Sequence, residues 1–420
     1  MNLKIMKKSI ILNPLYFIAF LIIITGCKNN ITHQKSILQN NNVKNIIPEN
    51  LKWSERMLLS EMQRFPDASL LDFKKAPHWS YTPGLVLSAS AKVYEKTKKQ
   101  LYFDYIYQYA NKMIDSMGGI LTYKYSNKNL DMIKSGDILL YLYPKTKEKR
   151  FLTAAETLNN QMETQPKTSN GGYWHKKIYP YQMWLDGLYM AEPFHAQYAK
   201  TYINNESIKF KIYEDVVHQF DLIQKHSFDK ESGLLYHGWD ESKQEQWANK
   251  KTGNSKHFWS RGMGWYGMAM VDVLDFLPLN HPGRERIINY LNLYAEALNK
   301  VQDKSGLWWQ VLDQGNRKGN YLEASGTAMF TYTFAKGVNK GYLPKKYQKT
   351  AEKAFNGLIN NLISVEENGL VNINKCCGVA GLGGKPYRDG SFEYYVNEII
   401  RSNDPKATGP FILAALELNK

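Results

Sequence analysis

The feature that most constrains this chain is a repeated one. From Leu51 to the C-terminus, apolar residues recur at helical spacing in segment after segment, as in GWYGMAMVDVLDFL and ASGTAMFTYTFAKGV. The periodicity predicts twelve helices, at about 51–65, 83–97, 102–116, 137–146, 148–161, 183–200, 206–226, 262–277, 284–301, 325–337, 345–362 and 408–419. Pro83, Asp137 and Ser325 mark starts, and Gly337 and Gly357 fall near ends. No strand-rich block or second linker interrupts the run. Short connections alternate with long aromatic ones: HWSYTPG, NGGYWHKKIYPYQMW, LLYHGWDESKQEQWANKKTGNSKHFWSRGMGW, SGLWWQVLDQGNRKGNYLEASG and CCGVAGLGGKPYRDGSFEYYVNE. Six helix pairs closed into a ring would gather the long connections at one end, and long structured loops usually carry function. The expected fold is therefore all-α, an (α/α)6 barrel with its site at one mouth. An irregular helical solenoid is the alternative.

The N-terminus has a different grammar. MNLKIMKKS is basic, IILNPLYFIAFLIII is a short apolar run broken by Pro14, and TGC follows. A membrane span needs about 20 apolar residues, so 1–26 is expected to be a signal peptide. Cys27 after Gly26 resembles the lipobox of bacterial lipoproteins, which implies cleavage before Cys27, lipid on its thiol and a place in the cell envelope; an uncleaved anchor is the alternative. Residues 27–50 are Asn-rich without apolar period and are expected to be a lipid-anchored tether, leaving 51–420 as the catalytic domain. Only two further cysteines exist, Cys376 and Cys377, and adjacent cysteines rarely bridge. The formal charge of +15 falls to about +12 once Lys4, Lys7 and Lys8 leave with the signal. That balance favours a polyanionic partner. The lack of zinc-finger spacing, an RNP-like motif or a basic block argues against nucleic acid.

Eight of the ten tryptophans fall in the long connections or at helix starts: Trp79, Trp174, Trp184, Trp239, Trp259, Trp265, Trp308 and Trp309. Flat rings stack on sugar faces, although aromatics also pack loops. Among them lie Asp131, His175, Asp186, His237, Asp240 and Arg261. There is no HExxH, GxSxG, Walker A or Rossmann motif, so no metal or cofactor is expected. The Gly-rich GVAGLGG at 378–384 lacks a flanking strand and helix and reads as a loop. Asp186 stands out. With Met183 three positions before it and Met190 four after, it shares one apolar helix face with both. An acid there is expected to be desolvated and held protonated, as a general acid requires; a buried structural Asp is the plainer reading. Asp131, just before a helix, is a second carboxylate or a turn residue.

Together, WHKKIYPYQMWLDGLYMAEPF, GLLYHGWDES, FWSRGMGWYGMAMVDVL, YLEASGTAMFTYTFAKGVNKGYL and GGKPYRDGSFEYYVNE resemble the unsaturated uronyl hydrolases, and most of all family 105 glycoside hydrolases of the unsaturated rhamnogalacturonyl hydrolase type. The resemblance covers 51–420 and implies an (α/α)6 barrel. It implies a substrate whose non-reducing end is a 4,5-unsaturated uronic acid, left by a polysaccharide lyase acting upstream. It also implies hydration of the C4=C5 bond, with no cofactor, rather than two-carboxylate displacement. Asp186 matches the general acid/base and Asp131 the second acid. His175, Lys176, His237, Trp259, Arg261 and Trp265 match substrate-contacting positions, with Arg261 expected to fork onto the uronate carboxylate. Trp184 is expected beside Asp186, and Tyr81 or Trp79 at the mouth. Lys385 and Arg388 are expected near a neighbouring acidic or sulfated sugar. Family members act on rhamnogalacturonan fragments, and marine relatives act on ulvan, a sulfated rhamnose–uronate polymer; both substrates stay open. The rival readings are an (α/α)6 sugar epimerase using His175 and His237, an inverting hydrolase, and a glycan-binding surface lipoprotein.

Overall fold

The computed structural model describes residues 46–420. The signal-peptide and Cys27 expectations, and nearly all of the expected tether, lie outside the described residues. The compact unit runs from Ile47 to Lys420. It starts a few residues before the expected boundary because Ile47 is buried and its N–H donates to the Asn368 carbonyl at 2.8 Å.

All twelve predicted helices are present: α1 (Trp53–Arg64), α2 (Tyr81–Thr97), α3 (Gln100–Met113), α4 (Gly136–Thr146), α5 (Lys149–Glu163), α6 (Leu185–Tyr202), α7 (Glu206–Ser227), α8 (Ser260–Val273), α9 (Pro282–Lys300), α10 (Ala324–Asn339), α11 (Tyr347–Asn361) and α13 (Pro405–Glu417). A short α12 (Phe392–Asn397), not predicted, sits in the last long connection. Helices α2, α4, α6, α8, α10 and α13 each pack against the next, and α13 packs back on α2 to close the ring. The others lie outside, each against its partner in the pair. Sequence explains the split. Inner helices α6, α8, α10 and α13 are buried over most of their length, as in α10, where every residue from Ala324 to Gly337 is buried. The outer helices bury one stripe, as in α3, where Tyr102, Tyr105, Ile106, Tyr109, Ala110 and Met113 face inward.

The long connections run from an outer helix to the start of the next inner one, so all six inner N-termini face one mouth. Their unpaired N–H groups and aligned dipoles make that end favourable for anions. Two-stranded ladders brace the loops there: β1 (Gln182–Trp184) with β2 (Gly238–Asp240), β3 (Trp308–Trp309) with β4 (Leu322–Glu323), β5 (Ile363–Val365) with β6 (Val371–Ile373), and β7 (Cys376–Cys377) with β8 (Ile400–Arg401). The expected helix start at 183 is thereby corrected. Met183 is in β1 opposite Trp239, α6 begins at Leu185, and Asp186 lies in its first turn rather than on a face shared with Met183. Pro193 does not end α6, which continues to Tyr202.

Close approach of the wall helices depends on small residues. A Cβ on Gly267 of α8 would lie 2.1 Å from the Tyr294 hydroxyl oxygen of α9. Gly267→Val is therefore expected to destabilise the fold by about 2–4 kcal/mol, read as a lowered denaturant midpoint with unchanged m-value.

Candidate active site

Asp186 is placed by strand register. Trp184 of β1 pairs with Gly238 of β2, so Leu185 meets His237 and its N–H donates to the His237 carbonyl at 3.1 Å. The next residue, Asp186, then has its Oδ2 3.4 Å from His237 Nε2. Both atoms are buried, and among the described residues neither has another hydrogen-bond partner. The Asp186 side chain is 13% exposed, and with Oδ2 buried it is Oδ1 that faces the cleft. Its position in the first turn of α6 also puts it at a helix N-terminus.

His237 is enclosed by rings. Trp259 lies 4.5 Å away between centroids and Trp184 edge-on at 5.6 Å, and Tyr395 Oη is 2.8 Å from His237 Nδ1. Burial pushes the imidazole below its ordinary value, although the hydrogen bond and charge of Asp186 pull the other way. The ring is therefore neutral near neutral pH. Trp184 is sandwiched between His175 at 4.7 Å and Tyr179 at 5.0 Å, and its indole N–H donates to Gln182 Oε1 at 3.1 Å.

Asp131 sits in a 3-10 turn, Leu130–Met132, whose start is fixed by the Asn129 side chain accepting from the Asp131 N–H at 3.0 Å. Its carboxylate faces His175 Nε2 at 3.2 Å and Lys176 Nζ at 2.5 Å. Burial pushes Asp131 up, but the charges of Lys176 and His175 and their hydrogen bonds outweigh it and hold the carboxyl well below the usual range. Asp131, Lys176 and Tyr81 line a cavity of about 460 Å³ that Arg401 and Lys406 also border. One continuous run of contacts thus joins the acids, from Asp131 through His175, Trp184 and His237 to Asp186.

Arg261 is used otherwise than expected. It is 1% exposed. Its Nη1 donates to the Cys377 carbonyl at 2.6 Å and Ser325 Oγ at 3.2 Å, and its Nη2 to the Gly378 carbonyl at 3.3 Å. The fork that was to take a substrate carboxylate ties down the turn after β7 instead. Nothing near Arg261 in sequence announces carbonyl partners 116 and 117 residues away. The same ties account for the adjacent cysteines, whose turn is also held by Glu323 accepting from the Cys377 N–H at 3.0 Å. Arg388 reaches the cleft on that loop. It donates to Tyr179 Oη at 2.9 Å, and its guanidinium carbon is 6.0 Å from the Trp184 ring centre. Lys385 is exposed on the same loop.

The tryptophans divide. Trp79 is fully buried and its indole donates to the Met132 carbonyl at 2.8 Å, so it holds the Asp131 turn rather than closing the mouth. Tyr81 does line the cleft, edge-on to Trp265 at 6.0 Å, while Trp265 stacks on Tyr189 at 5.0 Å. Trp308 packs on Phe334 in the core, and Trp239 stacks on His226. Asp240 caps a turn, accepting from the Ser242 and Glu245 N–H groups. Tyr395 was missed. Nothing local distinguishes it from Tyr394 beside it.

A closed barrel of helix pairs whose mouth holds an acid against a neutral imidazole, a stacked tryptophan and fixed cations has the form of a carbohydrate-active hydrolase. The Glycosyl Hydrolase Family 88 model matches residues 53–420, and the chain belongs to that family. A solved family 105 glycoside hydrolase from C. acetobutylicum superimposes with a TM-score of 0.83 at 45% identity, covering 88% of this chain and 99% of that one. An unsaturated rhamnogalacturonyl hydrolase of Bacillus subtilis is 25% identical over 304 residues, 70% of this chain and 78% of the relative. An unsaturated 3S-rhamnoglycuronyl hydrolase of Formosa agariphila is 30% identical over 181 residues, 42% of this chain and 45% of the relative.

The Asp131 pairing has a signed pH consequence. Its folded pKa lies below the unfolded value, so the stabilisation is present above about pH 4 and is lost as pH falls below it. Asp131→Asn is expected to cost about 2 kcal/mol of stability at pH 7, and the gap to wild type should narrow in denaturant melts at pH 3.

Proposed function

We propose that this hydrolase removes a 4,5-unsaturated uronyl residue from the non-reducing end of lyase-made oligosaccharides, and that the adjoining sugar is a rhamnose. The observation that carries the reading is Asp186: one oxygen buried against His237, the other open to a mouth lined by Trp184, Lys176 and Arg388. Asp186 gives its proton from Oδ1 to C4 of the alkene. Positive charge develops at C5 and the ring oxygen. Water adds to C5 and yields a proton back to the Asp186 carboxylate. The resulting hemiketal opens and releases the rest of the oligosaccharide as an alcohol. Asp131 cannot share this work, because Lys176 and the hydrogen bonds it receives keep it ionised; it orients Lys176 and His175 towards the ring. This split between two carboxylates by environment is a familiar way to assign acid and base roles.

With the Arg261 fork buried and bound to carbonyls, the uronate carboxylate is left to Lys176, which also pairs with Asp131, and to Arg388, whose Nε and Nη2 also donate to the Gly383 and Leu382 carbonyls. The rhamnose assignment draws on the two relatives above, whose names both carry it. An upstream lyase follows from the chemistry, since the alkene is made by β-elimination. Disappearance of the C4=C5 uronate absorbance tests the reading. Wild type is expected to bleach lyase-made oligosaccharides, and Asp186→Asn to be slower by about 10²–10⁴-fold in kcat. Faster turnover of sulfated ulvan fragments than of rhamnogalacturonan fragments assigns the polymer to ulvan, and the reverse order to rhamnogalacturonan. An Asp186→Asn enzyme as fast as wild type would move the acid elsewhere.

We also propose, from the sequence around Cys27, that the enzyme is held to a membrane by lipid on that thiol. Cys27→Ser is expected to shift the protein from the detergent phase to the aqueous phase in a two-phase partition; retention in the detergent phase would instead indicate an uncleaved anchor.

A further inference from the structure

Asp186 has two oxygens, and only one of them is useful. A proton on Oδ1 faces the cleft, whereas a proton on Oδ2 points into the protein at His237. What decides between them is the tautomer of His237. If Nε2 carries the imidazole proton, it faces Oδ2 as a donor, and an acid proton on Asp186 must sit on Oδ1. If Nδ1 carries it, Nε2 presents a lone pair, and Oδ2–H can donate to it and trap the acid proton in the wrong place.

The partner of Nδ1 is the Tyr395 hydroxyl, at 2.8 Å. A phenol donates far more readily than it accepts, and burial pushes the Tyr395 hydroxyl well above its ordinary value, so its proton stays on. The tyrosine is fully buried and well anchored. Its ring stacks on Trp259 at 6.2 Å and 23°, its carbonyl accepts from Gln310 Nε2 at 3.0 Å, and α12 is capped by Ser391 Oγ accepting from the Tyr394 N–H at 3.0 Å. We propose that Tyr395 is a positioning residue for the hydration step: by donating to His237 Nδ1 it fixes the proton on Nε2, and so keeps the acid proton of Asp186 on the oxygen that faces substrate. The 3.4 Å contact between Nε2 and Oδ2 is long for a hydrogen bond and is of the kind that tightens when substrate enters. The inference rests on the hydration reading above.

The other ionisable groups around the pair come from several elements. Asp186 is on α6, His175 lies across Trp184, and Arg388 and Cys377 come from the last long connection. Tyr394 adjoins Tyr395 on α12, and His257 is edge-on to the Tyr395 ring at 6.4 Å. Burial pushes His257 below its ordinary value, and Cys377 and Tyr394 above theirs, so these three are neutral near pH 7. Arg388 is the fixed charge.

The test is Tyr395→Phe, which keeps the ring and removes only the hydroxyl. It is expected to lower kcat by about tenfold or more with KM within about twofold. Tyr394→Phe, which leaves the Tyr395 hydroxyl in place, serves as the control and should leave the His237 tautomer unchanged. Independently of turnover, ring ¹⁵N shifts of ¹⁵N-histidine-labelled protein should show His237 protonated on Nε2 in wild type and on Nδ1 in Tyr395→Phe. A wild-type kcat and KM in Tyr395→Phe overturn the inference, as does an unchanged tautomer. Failure of wild type to bleach unsaturated uronates would sink the hydration reading instead, and the tautomer measurement would still decide what Tyr395 does.

Discussion

Ring closure is the interaction on which the rest depends. Five inner helices could be added one after another without enclosing anything; the sixth, α13, must return to α2 to make an interior. It does so at close range, where a Cβ on Gly409 would lie 2.8 Å from Leu85 Cγ. Polar ties reinforce the seam. Glu61 of α1 accepts from Thr408 Oγ1 at 3.0 Å and pairs with Arg64 at 2.8 Å, and Asp404 caps α13 by accepting from the Lys406 N–H at 2.9 Å. Once α13 is seated, six helix N-termini face one mouth, and the loops that join outer to inner helices have nowhere else to go.

The mouth then treats two similar side chains in opposite ways. Asp131 meets a lysine and a histidine that both hydrogen-bond its carboxylate, and it is fixed as an anion. Asp186 meets a neutral imidazole and keeps one oxygen clear. Neither outcome is intrinsic to aspartate; each follows from which loop lies opposite. The β1–β2 register sets His237 beside Asp186, and the turn at Leu130–Met132 sets Asp131 beside His175 and Lys176.

Much of this was legible in the sequence, for a physical reason. Helical periodicity is a repeated local signal, so twelve segments and their pairing could be read directly, and alternating loop lengths implied a single functional end. Asp186 stands out as an acid among apolar residues, but Met183 belongs to a strand of three residues, too short to show a period, and shares no helix face with it. Arg261, Tyr395 and Trp79 were misread or missed because their partners lie far away in the chain. An arginine bound to the carbonyls of Cys377 and Gly378 looks, in one dimension, like an arginine waiting for a carboxylate. The crowding of tryptophan in the loops was likewise two populations in one, with Trp308 and Trp239 packing the protein while Trp184 borders the cleft.

The adjacent cysteines carry one more consequence. Both thiols are buried and unbridged, and burial pushes each above its ordinary value, Cys376 most of all. A thiol that does not ionise is neither a nucleophile nor a ready target for exchange. Once the chain has folded, these two thiols are therefore shielded from oxidants and from exchange with other thiols, so the turn they sit in keeps its shape whatever the redox state around it.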